Sequence, residues 1–193
     1  MRIRQSNTDR ATRRCSVWLL AVALVVGNLA HAADPPFRSI DVAYEGDAYI
    51  LNAVMFAPVP QAVAWDVLTD FDHMARWVPN VAESKAIARD GDSVTVQQHG
   101  VAKFGAASFP YTTERRIDLK PQGGIKTMQL KGSFRRVEST LQIEPDGKGT
   151  RINYHLEMVP SGLSSTVMSK KFVEHEVTEQ FTAIIGEMTR RAP

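Results

Sequence analysis

The chain contains a single cysteine, Cys15, among 193 residues. It precedes an apolar run, which removes it as a lipidation site, and everything after it lacks thiol chemistry, disulfides and cysteine metal ligands. Glycine loops that cradle phosphate are also missing. "PQGG" (121–124) and "PDGKG" (145–149) read as hairpin turns, because neither stands between a strand and a helix. No serine occupies a GxSxG elbow, so a hydrolase has no support. His73, His99 and His155 are scattered without metal-ligand spacing, and neither a metal nor a cofactor is expected. No internal repeat, low-complexity tract or Pro/Ser-rich linker divides the chain.

What is present begins with a leader. "MRIRQSNTDRATRR" is basic, "VWLLAVALVV" (17–26) is apolar, and Ala30-His31-Ala32 is a small-x-small cleavage pattern, so residues 1–32 are expected to be a cleaved export signal. The apolar run is shorter than the roughly 20 residues needed to span a bilayer. Arg13-Arg14 is followed by "CSV", without the bulky apolar residue of the twin-arginine route, so ordinary export to the periplasm is expected. Five Arg and one Asp lie in the leader. The net charge of +2 for the whole chain therefore becomes −2 for residues 33–193, and the alkaline balance says nothing in favour of nucleic acid. Those 161 residues suit one domain with a sizeable core: an extended arm over 33–46 and a folded region over 47–193.

"AYILNAVMFA" (48–57) predicts a first strand. Pro60 can open a short helix in which Val63, Val67 and Leu68 recur at helical spacing. Phe71 to Trp77 predicts a second short helix, stopped by Pro79. Alternation at Val94/Val96, at Phe109/Tyr111/Ile117/Leu119 and at Ile152/Tyr154/Leu156/Met158, punctuated by turn signals, predicts an antiparallel meander with one buried face. The last segment, from "LSSTVMSKKF" onward, predicts a helix of roughly 25 residues, capped by Ser164 or Ser165 and closed by Arg190 and Arg191. The class is α+β: strand, two short helices, about six strands, one long helix.

In that order, "VLTDFDHMARWVPNVAESKAIARDGDSVTVQQHG", "LKGSFRRVESTLQI", "GTRINYHLEMVP" and "VTEQFTAIIGEMTRR" resemble the START-related helix-grip superfamily, in its polyketide cyclase/dehydrase and lipid-transport branch, which includes coenzyme Q-binding START-like proteins. The resemblance implies a curved antiparallel sheet of about six or seven strands wrapped on a long C-terminal helix, with a cavity between them for an apolar molecule. It does not by itself imply catalysis. One departure stands out: relatives often carry a large aromatic near Leu141, and leucine here implies a roomier cavity floor.

In "FDHMARWVPNV" (71–81), Phe71, Met74 and Trp77 share one helical face, which turns Asp72 and His73 toward water and argues against an acid-base pair. Trp77 can wall a cavity or simply pack in the core. Arg115 shares strand parity with Tyr111 and Ile117, so it either faces inward, where it must meet an acid or a ligand anion, or reaches solvent at the strand end. Gln98 and His99 face opposite ways. His175 and Glu179, one turn apart, could hold a polar head group or lie on a wet helix face. Phe134, in "GSFRR", suits a cavity mouth. With Met74, Trp77, Tyr111, Arg115, Phe134 and His175, the expected ligand-binding set includes Met128, Leu141 and Phe172, and no catalytic residue is assigned.

Three functions follow as expectations. The first is a periplasmic carrier of an apolar small molecule (lipid, isoprenoid quinone or polyketide-like ring), in transient contact with a membrane and not with nucleic acid. The second is an aromatase, cyclase or dehydratase using His175 or His99 with Arg115. The third is an envelope interaction module with a vestigial cavity.

Overall fold

A computed structural model describes residues 36–120, 123–162, 165 and 168–193. The expected leader lies outside them. Of the segment read as an extended arm, Phe37–Glu45 forms strand β1, paired antiparallel with β2 (Ala48–Ala57). Two short helical elements follow, α1 (Gln61–Leu68) and a 3₁₀ helix, η1 (Phe71–Arg76). Six more strands run in succession: β3 (Val81–Asp90), β4 (Ser93–Phe104), β5 (Ala107–Lys120), β6 (Gly124–Gly132), β7 (Arg136–Asp146) and β8 (Gly149–Val159). The chain ends in helix α2 (Lys170–Arg191).

The strands form one curved antiparallel sheet ordered β1-β2-β8-β7-β6-β5-β4-β3. It has eight strands instead of six or seven, because β1 adds an edge whose half-exposed sequence carries little alternation. The six strands after the helices match the sequence pattern. Side chains with a period of two supply the inner face: Leu51, Ala53, Met55 and Ala57 on β2, Val94 and Val96 on β4, and Ile152, Leu156 and Met158 on β8 are all buried.

Helix α2 presents Phe172, Val173, Val177, Phe181, Ile184, Ile185 and Met188 to that face. It starts later than its pattern predicts. Ser164 lies outside the described residues, and the Ser165 hydroxyl donates to the Gly162 carbonyl at 2.7 Å. The cap is Ser169, whose Oγ accepts from Phe172 N at 3.2 Å.

The far end of α2 is held by charge. Buried Glu187 accepts from Arg190 (2.6 and 2.7 Å) and Arg191 (2.7 Å), and Arg191 also donates to Asp70 at 2.7 Å. Hydrogen bonds from Arg190 first, and then from Arg191, hold the Glu187 carboxyl down at about 2. Because that value is depressed below the ordinary 4.5, the stabilisation is complete above the ordinary value and is lost as pH falls toward about 2. Denaturant titrations at successive pH values should show this acid limb, and Glu187→Gln should flatten it. An unchanged limb in the variant would assign it to other carboxylates.

Candidate functional site

A cavity of about 250 Å³ lies between the concave face of the sheet and α2. One wall is apolar, made by Leu68 and Phe71 ahead of β3 and by Phe172, Val177, Phe181 and Ile184 on α2. The opposite wall, formed by the sheet, sets a polar patch among aliphatic residues such as Ile117, Ile125, Leu141 and Leu156. Gln98 on β4, Thr113 and Arg115 on β5, Thr127 and Gln129 on β6, Ser139 on β7 and Tyr154 on β8 all line it. A sheet interior of this kind would ordinarily be aliphatic, so the polar patch needs a reason.

The register makes that patch compact. Gln98 stands opposite Thr113, and Arg115 stands opposite Gln129. A β-bulge between Glu114 and Arg115 skips Leu130, leaving it 46% exposed on the outside while Gln129 and Thr127 point inward. Arg115 donates from Nη2 to Gln98 Oε1, and Gln98 Nε2 donates to Ser84 Oγ at 2.8 Å. The Arg115 Nε is buried without a hydrogen-bond partner among the described residues, as are Thr113 Oγ1, Gln129 Oε1 and Asn80 Oδ1. All four of these residues line the cavity. Burial pulls the Arg115 pKa below its ordinary value, and the titratable side chains beside it, Tyr154 and Tyr111, are neutral phenols whose own pKa values burial raises. Burial in turn pushes the Tyr111 hydroxyl up to about 12.

A second polar group closes one end. Glu176, 7% exposed on α2, accepts from Asn80 Nδ2 at 2.5 Å and from the Lys103 backbone N–H at 3.2 Å. The Tyr111 hydroxyl donates to the Asn80 carbonyl at 3.1 Å. Burial raises the Glu176 pKa. Beside this cluster a narrower hollow of about 50 Å³, lined by Phe109, Ser133, Phe134, Met168 and Phe172 among others, adjoins the cavity. Phe104, 36% exposed, lies 5.9 Å from Phe172 and 5.3 Å from His175, centroid to centroid.

Six of the nine residues expected from sequence line the cavity: Met74, Tyr111, Arg115, Phe134, Leu141 and Phe172. Three do not. Trp77 packs against the core with Arg191 4.7 Å from its ring centroid, which is the core reading of the two left open. Met128 is 43% exposed because it stands opposite Arg116 on the outer face, and its neighbours Thr127 and Gln129 take the inward positions. His175 is exposed on α2, and the buried position beside it belongs to Glu176.

Asp72 and His73 are exposed, as their spacing predicts. Asp72 Oδ1 accepts from Ala86 N at 2.8 Å and His73 Nδ1 lies 2.6 Å from Asp70 Oδ1, local bonds that leave no acid-base pair. His99 faces outward, 3.6 Å from Glu83. The residues missed by sequence reasoning are Glu176, Asn80, Thr113 and Gln129. Polar residues at inward strand positions give no hydrophobic signal, although Thr113 has the same parity as Arg115. Glu176 also supplies a third donor beside His175 and Glu179, with ligand atoms within 4.8 Å of one another, but both its oxygens are already engaged.

A larger trough of about 480 Å³ runs along the opposite face of the sheet, past Asp41, Asn52, Lys126 and His155. Its polar side chains belong to the wet side of the sheet, and none of the unpartnered buried atoms comes from them.

Comparison with known proteins agrees with this architecture. The family described as polyketide cyclase/dehydrase and lipid transport matches residues 51–189. No curated protein matches the sequence. Among solved structures, TTHA0849 from Thermus thermophilus superposes with a TM-score of 0.65 at 15% identity, covering 75% of this chain and 99% of that one. The ZhuI aromatase/cyclase from Streptomyces sp. R1128 gives 0.63 at 17% identity, covering 75% and 95%. A STAR-related lipid transfer protein from Xanthomonas axonopodis gives 0.60 at 13% identity, covering 78% and 98%. At such identities these likenesses establish the helix-grip fold alone.

Proposed function

Because the chain belongs to the polyketide cyclase/dehydrase and lipid-transport family, we propose that it binds and carries an apolar small molecule in the cavity between sheet and α2. The observation that carries this reading is the cavity itself. Its helix-side wall is aliphatic and aromatic apart from Glu176 and Gln180, and it opens toward a hollow framed by Phe109, Phe134 and Phe172. A lipid, an isoprenoid quinone or a polyketide-like ring has the matching surface. The basic, apolar and small-residue pattern of residues 1–32 supports action after export, in the periplasm.

An aromatase or cyclase would need an acid and a base within reach of substrate. Support for it is weaker, since both histidines it would use, His175 and His99, are placed off the cavity. The test is native mass spectrometry of the protein purified from its own periplasm, followed by solvent extraction. One apolar species at near-equal stoichiometry is expected. Protein that is empty in every preparation would overturn the carrier reading.

A further inference from the structure

We propose that the cavity selects an amphiphile whose head carries an anionic oxygen, seated on Arg115, with its tail along the α2 wall. This deepens the carrier reading and rests on it. A buried guanidinium without an ion-pair partner is costly: Gln98, its hydrogen-bond partner among the described residues, is neutral, and Glu176, the carboxylate that also lines the cavity, is engaged by Asn80 and the Lys103 N–H. An anion entering the cavity removes that cost, and the unpartnered Nε gives it a donor.

The neighbours refine the head. Thr113 is 8% exposed and lies two residues from Arg115 on the same face of β5, and its hydroxyl has no partner among the described residues. Gln129 stands directly across from Arg115. Its Nε2 donates to the Phe134 carbonyl at 2.8 Å, which fixes the amide and leaves Oε1 as an acceptor without a donor. Asn80, with its Nδ2 committed to Glu176, has the same unmet acceptor. The wall therefore offers a cation and a hydroxyl to an ionised oxygen, and acceptors to an adjoining O–H. A carboxylate beside a hydroxyl and a phosphate monoester both have this chemistry. A plain hydrocarbon, ester or quinone would leave the cation unmet.

Titration calorimetry on the full folded chain, with dodecanoate, methyl dodecanoate, dodecan-1-ol and monododecyl phosphate as probes, decides the matter. The acid or the phosphate should bind at least about tenfold tighter than the alcohol and the ester, as expected for one charge-assisted contact. Whichever anion binds tighter identifies the source of the head. Arg115→Met should remove the preference for the anions over the alcohol and the ester, whereas Arg115→Lys should retain part of it. If alcohol and ester bind as tightly as both anions, this proposal fails and the carrier reading stands. If no probe binds, this proposal fails, and the carrier reading is then decided by native mass spectrometry alone. The wild-type comparison holds even if a variant does not fold.

Discussion

Leu141→Trp should abolish uptake of the cavity's ligand, lowering affinity by about 100-fold, or about 2.7 kcal/mol. Leu141 is 8% exposed and sits on the cavity floor in the cross-strand row Ile125, Leu141, Tyr154. An indole at that point occupies the volume a ligand needs, in a cavity of only about 250 Å³. Because the side chain grows into open space, the fold should lose little, and Leu141→Phe should fall between. The measurement is affinity for whichever compound copurifies, with the melting temperature of each variant alongside. Undiminished binding by a folded Leu141→Trp protein would place the ligand elsewhere.

Gly100→Ala attacks the fold instead. A Cβ on Gly100 would meet the Asn80 carbonyl oxygen at 1.9 Å and the Tyr111 hydroxyl at 2.9 Å. The first of these is backbone, and it is pinned, since the same oxygen accepts from Val101 N at 3.0 Å and from Tyr111 at 3.1 Å. Relief therefore requires β3 and β4 to part where β3 begins. The expected cost is about 3 kcal/mol, lowering the melting temperature by roughly 6–12 °C for a domain of this size. The displaced Asn80 should also release Glu176, so ligand affinity should fall with stability. A variant that melts within about 2 °C of the parent would show that the strands accommodate the methyl group.

The sequence made the framework legible because the framework depends on burial. Alternation on β8 and helical spacing on α2 are hydrophobic signals, and both led to the elements found. Strand β1 was harder to see, since an edge with one covered side has no clean period. The candidate site divides in the same way. Met74, Leu141, Phe134 and Phe172 are apolar or aromatic and announce themselves, and Arg115 follows from strand parity. Thr127 and Gln129 read as ordinary solvent-side residues until the pairing of β6 with β5 is known, and Thr113, although it shares the parity of Arg115, carries no hydrophobic signal. Met128 illustrates the converse, an apolar side chain that the same register puts outside. Trp77 was ambiguous because the covering group, Arg191, is distant in sequence and belongs to another element.

The two ends of α2 are fastened differently, and this gives the helix the mechanics of a lever. At the C-terminal end, ion pairs among Asp70, Glu187, Arg190 and Arg191 form the fulcrum. At the other end there is no ion pair among the described residues, and the ties are the Tyr49 hydroxyl to the Met168 carbonyl at 2.8 Å, the Asn80 amide and the Lys103 N–H to Glu176, and edge-on contacts of Phe172 with Phe104 and Phe109. Thermal swings should therefore lift the Phe172 end and leave Met188 in place, so that on the proposed carrier reading the ligand enters at the Phe172 end. Amide exchange along α2 reads this directly, with protection expected to rise from the first turn to the last. Uniform protection would mean that the helix moves as one rigid body, and that the passage opens instead by displacement of the Phe134 turn.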